Sequence, residues 1–141
     1  MNKIKKVDGE EKIEKWLQRA SPIILTELGI GIMTITFKKE ERTKENSNHV
    51  FGIKYNAPYK RTIIKYNQTV IDLIEKKEYK MVVEALIHEF CHIITNPLVV
   101  VANQRFLQER EYIDATEEVT EHVTVLVKGR ILENHKELLV I

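Results

Sequence analysis

Apolar side chains fall on two periods along this chain, and the change between them divides it. Ile13, Trp16, Leu17, Ala20, Ile24 and Leu28 recur every three or four residues, the spacing of one helix face. Pro22 is expected to kink or divide that helix, and Gly29 and Gly31 break the pattern. The segments "IMTITFKK", "HVFGIKYN" and "RTIIKYN" are rich in β-branched and aromatic residues with partial alternation, and read as three strands. The polar run "KKEERTKENSN" separates the first two, and "APYK" is expected to turn the chain between the second and third.

From Gln68 the helical period returns. A short helix is expected to about Lys77 and a longer one from Glu78 to Thr95, ended by Asn96-Pro97 because a residue before proline disfavours helix. "LVVVANQRFLQEREY" reads as a loop leading into helix, placed to lie over one end of the preceding segment. "IDATEEVTEHVTVLVKGRIL" is a further helix, with Val119, Val123, Leu126 and Ile131 as its expected apolar stripe. Helix, three strands, then helices predicts an α+β fold with a small three-stranded antiparallel sheet backed by helices.

At 141 residues the chain has room for one core, so residues 1–141 are expected to form a single domain. With 22 basic and 21 acidic residues the net charge is +1, which gives no general attraction to nucleic acid or a membrane surface. The clusters Lys3, Lys5, Lys6 and Lys38, Lys39 are expected to be solvated. Cys91 is the one cysteine, so no intramolecular disulfide forms. The basic start lacks an apolar stretch of the secretory kind, and a cytoplasmic protein is expected.

The chemistry sits in "EALIHEFCHIIT". His88 and His92 are four apart, so on a helix both project from one face and can direct ring nitrogens at one metal ion. Glu89 lies one step round, where a base takes a proton from water. Val82, Val83, Ala85, Leu86, Ile87, Phe90, Ile93 and Ile94 make this helix apolar nearly all round, and three polar groups inside it need compensation. A catalytic zinc takes three protein ligands, and the next helix offers Glu117, Glu118, Glu121 and His122. By helical phase the stripe centres between Val119 and Val123 and is extended by Thr116, Thr120 and Ile113. Glu117 borders it on the Thr120 and Thr124 side, Glu118 sits further out, and His122 borders the opposite side. Glu121, one turn after Glu117, is placed to accept a hydrogen bond from a ligand histidine. Cys91 points off the histidine face and is expected as a small buried side chain.

With HExxH at 88–92 and Glu117-Glu118-Val119-Thr120-Glu121 following, the chain resembles the small gluzincin-type zinc metallopeptidases. In that group a glutamate ligand sits in an ExxxD-like motif on the helix after HExxH; glutamate replaces the usual aspartate here. "EEVTEHVT" is also similar to the ExxAxxFA pattern of the ImmA/IrrE family, and the element order resembles minimal zincins of phages and prophages. The resemblance implies a zincin-like fold, zinc as cofactor, His88, His92 and Glu117 as ligands and Glu89 as catalytic base. It also implies a peptide or protein substrate, which an exposed sheet edge, either "RTIIKYN" or "HVFGIKYN", would hold by strand addition. A zinc hydrolase acting on a non-peptide bond would use the same site. A different expectation from the same residues is a catalytically weak or inactive zincin-fold regulatory protein of phage or mobile-element origin. Tyr112, His122 and Arg110 are the candidates for polarising a substrate carbonyl.

Overall fold

A computed structural model of the chain describes residues 8–31, 33–56, 60–104 and 109–141. The first helix, α1 (Asp8–Glu27), buries the expected face: Ile13, Trp16, Leu17, Ala20 and Ile24 are at most 1% exposed. It runs unbroken through Pro22, contrary to the expected division. The proline lies on the last two turns, and Thr26 Oγ1 donates to the Pro22 carbonyl at 2.8 Å, so a side chain adds a bond within that turn. Trp16 Nε1 donates to the Leu138 carbonyl at 2.9 Å, tying the helix to the far end of the chain.

Strands β1 (Thr34–Lys39), β2 (Phe51–Asn56) and β3 (Arg61–Tyr66) form the sheet, and its topology differs from the antiparallel one expected. The order is β1-β3-β2; β2 pairs with β3 antiparallel, whereas β1 pairs with β3 in parallel, so the sheet is mixed. The reason lies in β3, whose Thr62, Ile64 and Tyr66 are all buried and which therefore takes the centre. The polar segment 40–50 is long enough to step across the end of β3, where both Lys39 and Phe51 lie beside Tyr66. Asn67 Nδ2 holds that segment by donating to the Asn46 carbonyl at 3.0 Å. The expected "APYK" turn falls on residues 57–59, outside the described residues, apart from Lys60.

Asn67 also starts α2 (Gln68–Glu75), accepting from the Thr69 amide as an N-cap. The helix ends with Lys77 in the left-handed region (φ 61°), while Lys77 N and Glu78 N donate back to Ile74 O and Leu73 O. Next comes α3 (Tyr79–Gln104), longer than expected: it passes through Pro97 instead of stopping at Thr95. A proline within a helix forfeits one backbone bond, and the pre-proline bias against helix is local and overridden here. The expected loop at 98–104 is thus helical, and residues 105–108 lie outside the described residues. The chain closes with α4 (Glu109–Asn134) and the short 3-10 turn η1 (Lys136–Leu139).

Helix α4 packs along α3 on the threonine side of the expected stripe, so Thr116 and Thr120 are buried as expected while Val119 and Leu126 turn outward. Val119 is 38% exposed and Leu126 80%, whereas Thr116, Thr120, Thr124 and Ile131 are buried. Threonine suits this contact because its hydroxyl can be satisfied locally: Thr124 Oγ1 donates to the Thr120 carbonyl at 2.8 Å. Lys38 is exposed and Lys39 is ion-paired with Glu10, while Lys3, Lys5 and Lys6 lie outside the described residues. Among the described residues no helix is long and apolar enough to cross a membrane.

Candidate metal centre

Two helices and one strand build the site. On α3, Val82, Val83, Leu86, Ile87, Phe90 and Cys91 are fully buried, which fixes the rotation of the helix. His88, Glu89 and His92 then emerge together on the side that faces α4 and the edge strand β2. On α4, burial of Thr116, Thr120 and Thr124 turns Glu117 and Glu121 toward the same place. Between these helices and β2 lies an open cleft of about 730 Å³, walled on the sheet side by residues 48–53 and Tyr55. Because β3 occupies the centre, β2 pairs only with β3 among the described residues and leaves its other edge along this cleft.

His88, His92 and Glu117 converge. One ligand atom from each lies within 4.8 Å of the others, and the three could hold a metal ion. Glu117 approaches both rings, with Oε2 at 3.5 Å from His88 Nε2 and Oε1 at 3.3 Å from His92 Nε2. The rings stand edge to face, their centroids 4.9 Å apart. The remaining ring nitrogens are held from behind: His88 Nδ1 by Glu121 Oε2 at 3.0 Å and His92 Nδ1 by Thr120 Oγ1 at 3.3 Å. Both Nε2 atoms therefore face the shared carboxylate, and this donor set of two imidazoles and a carboxylate fits a zinc-type ion.

Glu89 lines the cleft beside this group. Burial, reinforced by the negative charge of Glu117, raises its pKa from the usual 4.5 to about 8. Burial lowers the pKa of His92; the Glu117 carboxylate opposes that shift and His88 adds to it. A neutral ring is what metal ligation requires. Burial pushes the Cys91 thiol up, in keeping with its expected place as a packed side chain. At one end of the cleft Lys128 of α4 approaches Glu84 of α3 at 3.8 Å.

Of the four candidate ligands on α4, the structure brings Glu117 to the histidines and Glu121 behind one of them. Glu118 and His122 are exposed and belong to no such group among the described residues. Arg110 is also exposed, and the Tyr112 side chain lies outside the described residues. The polar groups that do line the cleft opposite the helices are Asn48, His49 and Tyr55, none of which stood out by spacing. Thr95 lies one turn beyond His92, and Thr120 one turn beyond Glu117. No protein-family model, curated protein or solved structure matches this chain.

Proposed function

We propose that this chain is a zinc-dependent metallopeptidase with His88, His92 and Glu117 as metal ligands, Glu89 as general base and Glu121 as the carboxylate that orients His88. The observation that carries the reading is the convergence of two Nε2 atoms on one carboxylate, with a second, partly buried glutamate in the same cleft. Two histidines and a carboxylate also suit ferrous iron. The adjacent base is what favours hydrolysis.

Zinc held by these three residues would supply Lewis acidity, acidifying water and polarising a carbonyl. The rest falls to the chain. The edge of β2 that is unpaired among the described residues is suited to align an extended peptide by backbone hydrogen bonds, with its scissile carbonyl carried toward the histidines. A Glu89 carboxylate oxygen takes the proton from water as that water attacks, and then donates it to the departing amine nitrogen. The raised pKa suits this exchange, since a base poised near neutrality both accepts and releases a proton. A cation held by Glu117 would offset the second of the two causes of that rise and return Glu89 toward the ionised form a base needs.

The test is metal analysis and hydrolysis together. Protein prepared without chelator should carry about one zinc per chain. His88→Ala should lose the metal, and Glu89→Gln should keep it while losing peptide hydrolysis. Zinc-free protein from a zinc-supplemented preparation would refute the assignment.

A further inference from the structure

The two histidines are supported by different chemistry, and the difference lies in buried hydroxyls. His88 leans on Glu121, a side chain 56% exposed. His92 instead meets a chain of two threonines, Thr120 and Thr95, which are 0% and 2% exposed. Thr95 Oγ1 donates to the His92 backbone carbonyl at 3.2 Å and lies 2.8 Å from Thr120 Oγ1, which is 3.3 Å from His92 Nδ1.

Each hydroxyl has one proton, so the directions follow in order. Thr95 spends its proton on the His92 carbonyl. The contact between the two hydroxyls then requires Thr120 to donate to Thr95. With that proton committed, Thr120 can only accept from His92, whose Nδ1 must carry the hydrogen. Neutral imidazole has one N–H, so the Nε2 lone pair is left facing Glu117.

We infer that Thr95 and Thr120 form a hydroxyl relay that anchors His92 in its Nδ1–H tautomer and presents Nε2 as a metal donor. The relay rests on the metal-site reading above and adds positioning residues to it. The chain starts and ends on His92, from its own backbone carbonyl to its own ring, so the ring is referenced to the helix that bears it. An isosteric Thr120→Val removes the acceptor and keeps the volume, and Thr120→Ser keeps the acceptor.

Zinc affinity of the full chain, measured by competition with a chromophoric chelator, is the first readout. The second is the His92 Nδ1–H resonance of the zinc-loaded, 15N-histidine-labelled protein, followed by its exchange with water. Thr120→Val should weaken zinc binding by about tenfold or more, the usual effect of losing a ligand's outer partner, and should abolish the protected Nδ1–H signal. Thr120→Ser should restore both. Thr95→Val should give a smaller loss of the same sign and faster exchange, and it carries the test if Thr120→Val does not fold. Wild-type affinity together with an unchanged protected signal in the valine variants would overturn the relay. His88→Ala separates the two claims: if it binds zinc as tightly as wild type, the metal-site reading itself is wrong.

Discussion

Replacing Glu89 by glutamine should stabilise the metal-free protein, and by more as the pH rises. In the folded chain Glu89 titrates near 8, against the usual 4.5, because burial and then Glu117 disfavour its charge. Between those values the folded state holds a proton that the unfolded state has released, so stability falls with rising pH. Its contribution is intact below about pH 4.5 and fully lost above about pH 8. At about 1.36 kcal/mol for each pH unit, the upper limit is about 5 kcal/mol at pH 8. Water in the open cleft screens the charge, so a gain of about 2–4 kcal/mol is expected. Glutamine resembles the protonated acid and escapes the penalty. Urea unfolding of chelator-treated wild type and Glu89→Gln at pH 5 and pH 8, followed by circular dichroism, gives the difference directly. Groups common to both proteins cancel. The gain should be small at the lower pH and large at the higher one, and it should shrink in a Glu117→Gln background, where the second cause is gone. A difference independent of pH would refute the burial argument for Glu89.

Three further outcomes follow from the packing and the site. Glu117→Gln should weaken zinc binding by at least tenfold, while Glu118→Gln, its exposed neighbour, should bind as wild type in the same chelator competition. Ile131→Ala should cost about 2–5 kcal/mol in urea unfolding and Leu126→Ala about 0.5 or less, since one is 0% exposed and the other 80%. His135 is bonded to Glu27 at 2.8 Å and Glu137 at 3.0 Å, which raise its pKa, in that order. A raised histidine pKa contributes stability that is full below its unfolded value of about 6.5 and lost as pH climbs through the folded one. The advantage of wild type over His135→Gln should accordingly be greatest near about pH 6 and decline toward alkaline pH; an advantage that does not vary with pH would count against the paired histidine.

The histidine pair was legible because a helix imposes one period on every residue it contains, so His88 and His92 had to share a face. Glu117 stood among four candidates on the next helix, and the packing of α4 brings it to them. The element order, from one helix to three strands to further helices, was legible for a similar reason, since the period changes at Gly29 and again at Gln68. Strand order was not. The period of a strand says which residues share a face and nothing about which strand lies next to it, and the burial that puts β3 in the centre exists only once the helices are in place. The phase of α4 was legible only in part: Thr116 and Thr120 belong to the expected stripe and are buried, but its centre, set by the valines and leucine, lies too far round the helix. In the folded chain Thr116, Thr120 and Thr124 line the α3 contact while Val119 and Leu126 are left outside. Pro97 is the third departure: a local preference pointed to a helix end, and the helix continues. The hydroxyls behind His92 were hidden for a different reason, since Thr95 and Thr120 are 25 residues apart and meet only across the helix pair.

The most direct test of the zinc peptidase account is zinc content and hydrolysis of a mixed peptide library, measured on the same preparations of wild type and Glu89→Gln. The account predicts about one zinc per chain in both proteins, with cleavage by wild type alone and loss of that cleavage on chelation. Cleavage by Glu89→Gln at the wild-type rate, or by zinc-free wild type, would contradict it.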